Sequence, residues 1–422
     1  MLNILRVQSK DLYMGMYVSA LDRPWLDTPF LTQGFYIEAR EDIDRLREHC
    51  DYVLVDVRKS RYLAAELTVN AFRSRPIPLK GRKLDSRPRL APEQIFHNRP
   101  IEPYRDDTAW EEEHPKAKQA LDTLLQDIND IYSEVIEGGN IDVIKLKKSV
   151  GPIVASISRN PDACLWVSRL KMHDEYTYQH SLGAAIWSVS LGRQLGLPKR
   201  DLRSLAMGCL LMDVGKLRVK PELLRANREL NLEEAAQIAS HVEYGLEIIM
   251  QSGITNPDVI DMVAHHHERF DGSGYPDGLK EDTIPTFARI AAIVDTYDAV
   301  TSKRDYAEAI SPPDAIKLLY NSRDVDFQAE LVEAFIQAVG IYPAGTLVEL
   351  SSGEVAVVVA EYRARRLRPK VMVLLDAQKN KLEKSVMLDL REPGENNNMP
   401  ALSIVRGLDP DVYGIDLAQV QY

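Results

Sequence analysis

Cysteine is scarce in this chain of 422 residues: Cys50, Cys164 and Cys209 lie far apart and form no C-x-x-C pair. That excludes a disulfide framework and a zinc–cysteine site, and it fits a reducing, cytoplasmic setting. Uninterrupted apolar runs of membrane-spanning length are missing, and the opening MLNILRVQSKDLYMG lacks a signal-peptide layout. Positive charge is not in excess either. Lys and Arg number 52 against 63 Asp and Glu, giving a net charge of -11, so no DNA or RNA polymer and no membrane is expected as a partner. What the chain does have is length and a 45% hydrophobic content, enough for two or three domains with proper cores.

Composition divides the chain, and the expected fold class is mainly α. Residues 1–72 mix short β-type runs (MYVSAL, YVLVDV) with the helical stretch EDIDRLREHC and read as a small α+β domain. Residues 73–114 carry Pro76, Pro78, Pro88, Pro92, Pro100 and Pro103 among many charges and read as a linker. Residues 115–158 read as a helical connector, in which Leu121, Leu125, Ile128, Tyr132 and Val135 form a stripe that stops at Gly138-Gly139-Asn140. The stripe is either a homodimer face or the side by which the helix packs on its own domain. Residues 159–330 show helical periodicity almost throughout. Residues 341–405 change period: GTLVELSSGEVAVVVAEYR and KVMVLLDAQ read as strands of a small β-rich appendage, turning at Ser352-Gly353. The basic cluster from Arg363 to Lys370 reads as its solvated hairpin end.

The stretch GCLLMDVGK, Gly208 to Lys216, poses a chemical question. Leu202, Leu205, Ala206, Cys209, Leu210 and Asp213 follow the spacing of one helical face, which places a carboxylate on the buried side. A buried carboxylate needs a cation, hydrogen-bond donors or a metal ion. Histidines supply a context. Five of the nine, His180, His241, His265, His266 and His267, fall in the helical region. VAHHHERFDGSGYPDGL puts three of them at a helix end before a glycine-rich loop. Neighbours on a helix point about 100° apart, so two can converge while the third turns away. Each residue alone is weak: His180 shares a face with Ala184, Trp187 and Leu191, and Asp295 lies among alanines. Together, several buried acids and imidazoles without matching arginines are most cheaply explained by divalent iron, manganese or zinc.

HHERFDGSGYPDGL resembles the signature of the HD-GYP family, cyclic di-GMP phosphodiesterases within the HD metal-hydrolase superfamily. IPTFARIAAIVDTYDAVTSKRDY, DEYTYQHS and HVEYGLEII extend the likeness over residues 165–320. LYMGMYV and PWLDTPF are similar to a domain often placed before HD-GYP domains. The resemblance implies a helical HD-type domain, one or two divalent metal ions (iron or manganese), and hydrolysis of cyclic di-GMP to pGpG and GMP. It implies His180, Asp213, His241, His266, His267 and Asp295 as metal ligands, with Asp213 bridging. Lys216, catalytic together with Asp213, would lie beside the bridging hydroxide or a substrate phosphate, and Arg304 would contact a phosphate of the dinucleotide. Gly272, Gly274, Tyr275 and Pro276 form the loop that names the family, with Gly274 and Tyr275 toward the substrate and the loop as a site for a signalling partner protein. His265 is assigned to structure.

Two positions depart from the family pattern. Met212 stands where the family has the histidine of its His-Asp pair, and Ala307 stands where many relatives are basic. His173-Asp174 is a decoy, since no x-G-K follows it. A thioether is a poor ligand for manganese or ferrous iron. The expectation is therefore a phosphodiesterase, active or impaired, set against a non-hydrolysing module that binds cyclic di-GMP or a partner protein.

Overall fold

The computed structural model describes residues 4–22, 35–37, 40–56, 90–170, 176–226, 228, 230–302, 309–362, 367–391, 402–409 and 412–415. The chain divides into two compact units, Met1–Pro88 with Glu222–Ile238, and Arg89–Pro221 with Ala239–Tyr422.

In the first unit the strands β1 (Ile4–Gln8), β2 (Tyr17–Leu21), β3 (Phe35–Tyr36) and β4 (Tyr52–Asp56) form an antiparallel sheet of order β1-β4-β2-β3. Helix α1 (Arg40–His49) buries Ile43 and Leu46 in the same core as Val7, Val18, Val53 and Val55. Val53 and Val55 are two apart and so share one face of β4, which is the period that the run YVLVDV shows. The expected α+β character is present.

The second unit is helical up to residue 339. Its helices are α2 (Trp110–Ile136), α3 (Val143–Arg159), α4 (Pro161–Leu170), α5 (Tyr176–Gln194), α6 (Lys199–Leu211), α7 (His241–Gln251), α8 (Pro257–His265), α9 (Thr286–Thr301), α10 (Pro312–Asn321) and α11 (Ala329–Val339). Two of these helices start on side-chain caps: Asp142 accepts from the Lys145 N–H, and Asn256, just before Pro257, accepts from the Asp258 N–H. Helix α5 is central, packing on α6, α9 and α11, and it is buried from Ser181 through Leu191. The stripe on α2 covers its own unit. Leu121, Ile128 and Tyr132 are almost fully buried, so that stripe is not a dimer face.

The linker expectation for 73–114 needs correction where the chain is described. From Leu90 onward it lies on the helical unit. Arg99 pairs with Asp201 at 2.8 Å and Asp258 at 2.6 Å, its guanidinium lies 4.5 Å from the Phe287 ring centre, and Phe96 and Trp110 are buried. Proline-rich, charged composition pointed to a segment that cannot repay its ordering by burial, but the Arg99 ion pairs and the buried Phe96 hold it in place. Residues 73–89 lie outside the described residues.

At the C-terminal end β5 (Leu347–Leu350), β6 (Val355–Ala360), β7 (Lys370–Leu375), β8 (Lys381–Asp389) and β9 (Ile404–Gly407) form an antiparallel sheet of order β8-β7-β6-β5-β9. Strand β6, sequence VAVVVA, is buried on both faces, packing on α4 as well as on its own sheet. No helix among the described residues is long and apolar enough to cross a membrane.

Candidate metal centre

Helix α6 ends at Leu211 because the chain tightens. Met212 takes the cap position, its N–H bonding the Gly208 carbonyl, and a 3-10 turn runs from Val214 to Arg218. Asp213 stands at the changeover and is only 2% exposed. A Cβ on Gly215 would fall 1.9 Å from the His241 carbonyl oxygen and 2.4 Å from the Gly245 nitrogen. Glycine there lets the first turn of α7 approach the 3-10 turn, and this close approach sets His241 beside Asp213.

Helix α8 delivers two more imidazoles. His266 holds helical angles as the cap residue, and its Nδ1 lies 3.1 Å from the carbonyl oxygens of both Met262 and Val263. A proton on Nδ1 satisfies those carbonyls and leaves the Nε2 lone pair free to bind a cation. The His241 Nε2 lies 3.4 Å from the His266 Nε2 and 3.2 Å from the His267 Nε2. Asp213 Oδ1 is 3.4 Å and 3.7 Å from the Nε2 atoms of His241 and His266. Burial and the charges of its neighbours hold His267 well below the usual imidazole range, so it is neutral. Burial alone would raise Asp213, but Lys216 and the histidines outweigh it and keep the carboxylate ionised well below its ordinary range.

The other carboxylate oxygen of Asp213 faces a second group. Oδ2 accepts from Lys216 Nζ at 2.7 Å and lies 4.0 Å from His180 Nε2. His180 Nε2 is 2.8 Å from Asp295 Oδ1, and its Nδ1 is 2.8 Å from Asp298 Oδ2. Burial works against a charged His180, yet the hydrogen bonds and charges of Asp295 and Asp298 outweigh it and lift the imidazole to about 9. Burial likewise opposes the charge on Asp295, and His180 overcomes it to hold that carboxyl at about 2. Two donor sets result, Asp213–His241–His266–His267 and His180–Asp213–Asp295, each with ligand atoms within 4.8 Å of one another.

The residues fit a divalent cation. Asp213 Oδ1 is buried and accepts no hydrogen bond, and three ring nitrogens converge where a shared proton can serve only one pair of them. Imidazole with carboxylate is the donor chemistry of iron, manganese and zinc.

The chain matches an HD domain over residues 167–331, a domain of unknown function over 4–146, and a KOW domain associated with HD domains over 347–411. A cyclic di-GMP phosphodiesterase of Pseudomonas aeruginosa is 32% identical over 398 residues, covering 93% of this chain and 91% of that protein. The chain belongs to the HD-GYP family. A cyclic di-GMP phosphodiesterase response regulator of Xanthomonas campestris is 36% identical over 148 residues, 35% of this chain and 39% of that one. A 3'3'-cGAMP-specific phosphodiesterase of Vibrio cholerae is 33% identical over 162 residues, 38% and 31% of the two chains. The structure of a HDG"Y"P protein from Bdellovibrio bacteriovorus aligns at 14% identity with a TM-score of 0.45, over 79% of this chain and 98% of that chain.

Of the site residues expected from sequence, the six ligand candidates come together, and Lys216 lies against Asp213. Of the three consecutive histidines, His266 and His267 turn inward while His265 turns to Asp277, 3.6 Å away. In the GYP loop, Tyr275 stacks on His267 with ring centres 4.7 Å apart, and burial pushes its phenol up, so it stays a neutral donor. Gly274 backs onto the main chain of the HHER segment, where the Tyr275 N–H reaches the His267 carbonyl at 3.4 Å. Met212 is fully buried. Arg304, Ala307 and His173-Asp174 lie outside the described residues.

Two buried carboxylates were not singled out from sequence. Glu268 accepts from the backbone N–H groups of Asp277, Gly278 and Leu279 at 2.8–3.1 Å and so anchors the GYP loop. Although His265, Glu268 and Asp277 also approach one another, those three donors already engage the Glu268 carboxylate. Asp298 holds the far side of His180. Its spacing from Asp295, one helical turn, was the available signal.

Proposed function

We propose that this chain is a metal-dependent phosphodiesterase that hydrolyses cyclic di-GMP to pGpG and onward to GMP. One observation carries the proposal: Asp213 directs Oδ1 at three converging imidazoles and Oδ2 at the His180–Asp295 pair. His241, His266 and His267 with Asp213 would hold one ion; His180, Asp213 and Asp295 would hold another, with iron or manganese as the expected metals. Bound ions of this kind lower the pKa of water and neutralise charge on a phosphodiester. Lys216, one quarter exposed while bonded to Asp213, supplies a cation that reaches from the buried carboxylate toward solvent, where a phosphate would arrive. Tyr275, neutral and stacked on His267, offers a hydroxyl and a ring face at the rim for a guanine or ribose. Arg304 remains our candidate phosphate contact, and the GYP loop our candidate surface for a partner protein.

The Pseudomonas aeruginosa relative that aligns over 93% of this chain carries a cyclic di-GMP phosphodiesterase name, which supports hydrolysis over binding alone. The test is anaerobic purification with manganese or iron, metal analysis, and a cyclic di-GMP hydrolysis assay run beside 3'3'-cGAMP. Wild-type protein should bind metal and release pGpG. Replacing His266 and His267 together with alanine should abolish both. Unchanged metal content in the double variant would end the site assignment, and tight cyclic di-GMP binding without turnover would make the chain a binding module.

A further inference from the structure

Buried in the contact between α5 and α9 is a chain of polar groups that extends the centre away from its ligands. Helix α5 presents His180, Gly183 and Trp187 on one face, and α9 answers with Asp295 and Asp298. Asp298 is fully buried. Its Oδ2 lies 2.8 Å from His180 Nδ1 and 3.3 Å from the Ser302 hydroxyl, and its Oδ1 accepts from the Trp187 indole N–H at 3.1 Å. A Cβ on Gly183 would fall 2.1 Å from Asp298 Oδ1, so glycine at that position is what admits the carboxylate.

We propose that Asp298 is a positioning residue, which keeps the His180 proton on Nδ1 so that Nε2 presents its lone pair to the ion of the His180–Asp213–Asp295 set, called the first ion below. This rests on the metal reading above. The directionality comes from Trp187. An indole N–H can only donate, so whatever atom occupies the Oδ1 position must accept. With aspartate both oxygens accept, and Nδ1 must be the donor to Oδ2. With asparagine the amide oxygen is drawn to Trp187, and its NH2 is turned toward Nδ1. The imidazole then accepts at Nδ1 and carries its proton on Nε2, the atom needed for the metal. A nearly isosteric change thereby reverses one tautomer. Removing such an orienting partner costs about 10- to 100-fold in metal affinity.

The test is manganese titration of full-length wild type, Asp298→Asn, Trp187→Phe and the double variant, with the two ion classes resolved by electron paramagnetic resonance. Asp298→Asn should weaken the first ion by about 10- to 100-fold and leave the three-histidine ion unchanged. Trp187→Phe alone should leave both ions bound. In the double variant the amide is released from the indole, can turn its oxygen to Nδ1, and should recover first-ion affinity toward the wild-type value. A role in packing alone predicts the opposite, since a second core change would add to the damage. Wild-type affinity in Asp298→Asn, a double variant weaker than Asp298→Asn, or no first ion in wild type would each overturn the proposal. Wild type that binds both ions but leaves cyclic di-GMP intact would end the functional reading and leave this one standing.

Discussion

Replacing Met212 with histidine tells a metal-linked position from one that only packs. Met212 is 0% exposed and caps α6 one residue before Asp213. In metal-free protein the exchange removes a fully buried apolar side chain, about 1.5–3 kcal/mol, and adds an imidazole whose unpartnered nitrogen costs about 1–3 kcal/mol. With chelator present the variant should be less stable by roughly 3–6 kcal/mol. At about 2–4 °C per kcal/mol for a domain of this size, the melting point should fall by roughly 6–24 °C. Metal reverses the sign. Structural zinc sites bind with about 10–16 kcal/mol over four ligands, so one added ligand contributes on the order of 3 kcal/mol, or about 100-fold in affinity. The deficit should therefore shrink or vanish when manganese is added, and metal per chain should rise. The assay is calorimetry of both proteins in chelator and in manganese, paired with metal analysis and turnover. An equal deficit in both conditions would refute the reasoning, because position 212 would not reach the ion. Equal turnover in wild type and variant would show that the thioether is tolerated as it stands.

Other outcomes follow from individual contacts. Arg99→Ala leaves Asp201, 3% exposed, with only the exposed Arg200 as a cation, and should destabilise the helical unit by up to about 3–5 kcal/mol; an unchanged melting curve would mean that the segment after Leu90 does not hold the helices. Glu268→Gln replaces three charge-assisted acceptor contacts with weaker ones, so amide exchange at Asp277, Gly278 and Leu279 should accelerate by at least about tenfold. Exchange at the wild-type rate would show that the loop is held elsewhere. His180, raised from 6.5 to about 9, binds its proton more tightly in the folded state. Its contribution in chelated protein is thus complete below pH 6.5 and lost as pH rises through 9. Chelated wild type should lose stability across that window and His180→Gln should not; a flat wild-type profile would contradict the His180–Asp295–Asp298 cluster.

Much of this protein was legible in its residues because the signals are local. Helical periodicity and the Gly138-Gly139 stop after α2 depend on neighbours within a turn or two, and so do the ligand segments of the HD-GYP signature. The buried face carrying Asp213 followed from spacing alone. Tertiary structure decided what depends on the angles and distances between helices. Sequence allowed any two of the three consecutive histidines to converge, and the approach of Gly215 to α7 sets where His241 meets them. Composition read residues 73–114 as a linker, whereas Arg99 finds Asp258, 159 positions away, and fixes the segment from Leu90 onward. Asp298 looked like any acid on an alanine-rich helix until packing set it against His180, 118 positions earlier. The division of labour within Asp213, one oxygen to each donor set, is likewise a property of four packed elements, since no local rule of chain geometry orients a single carboxylate.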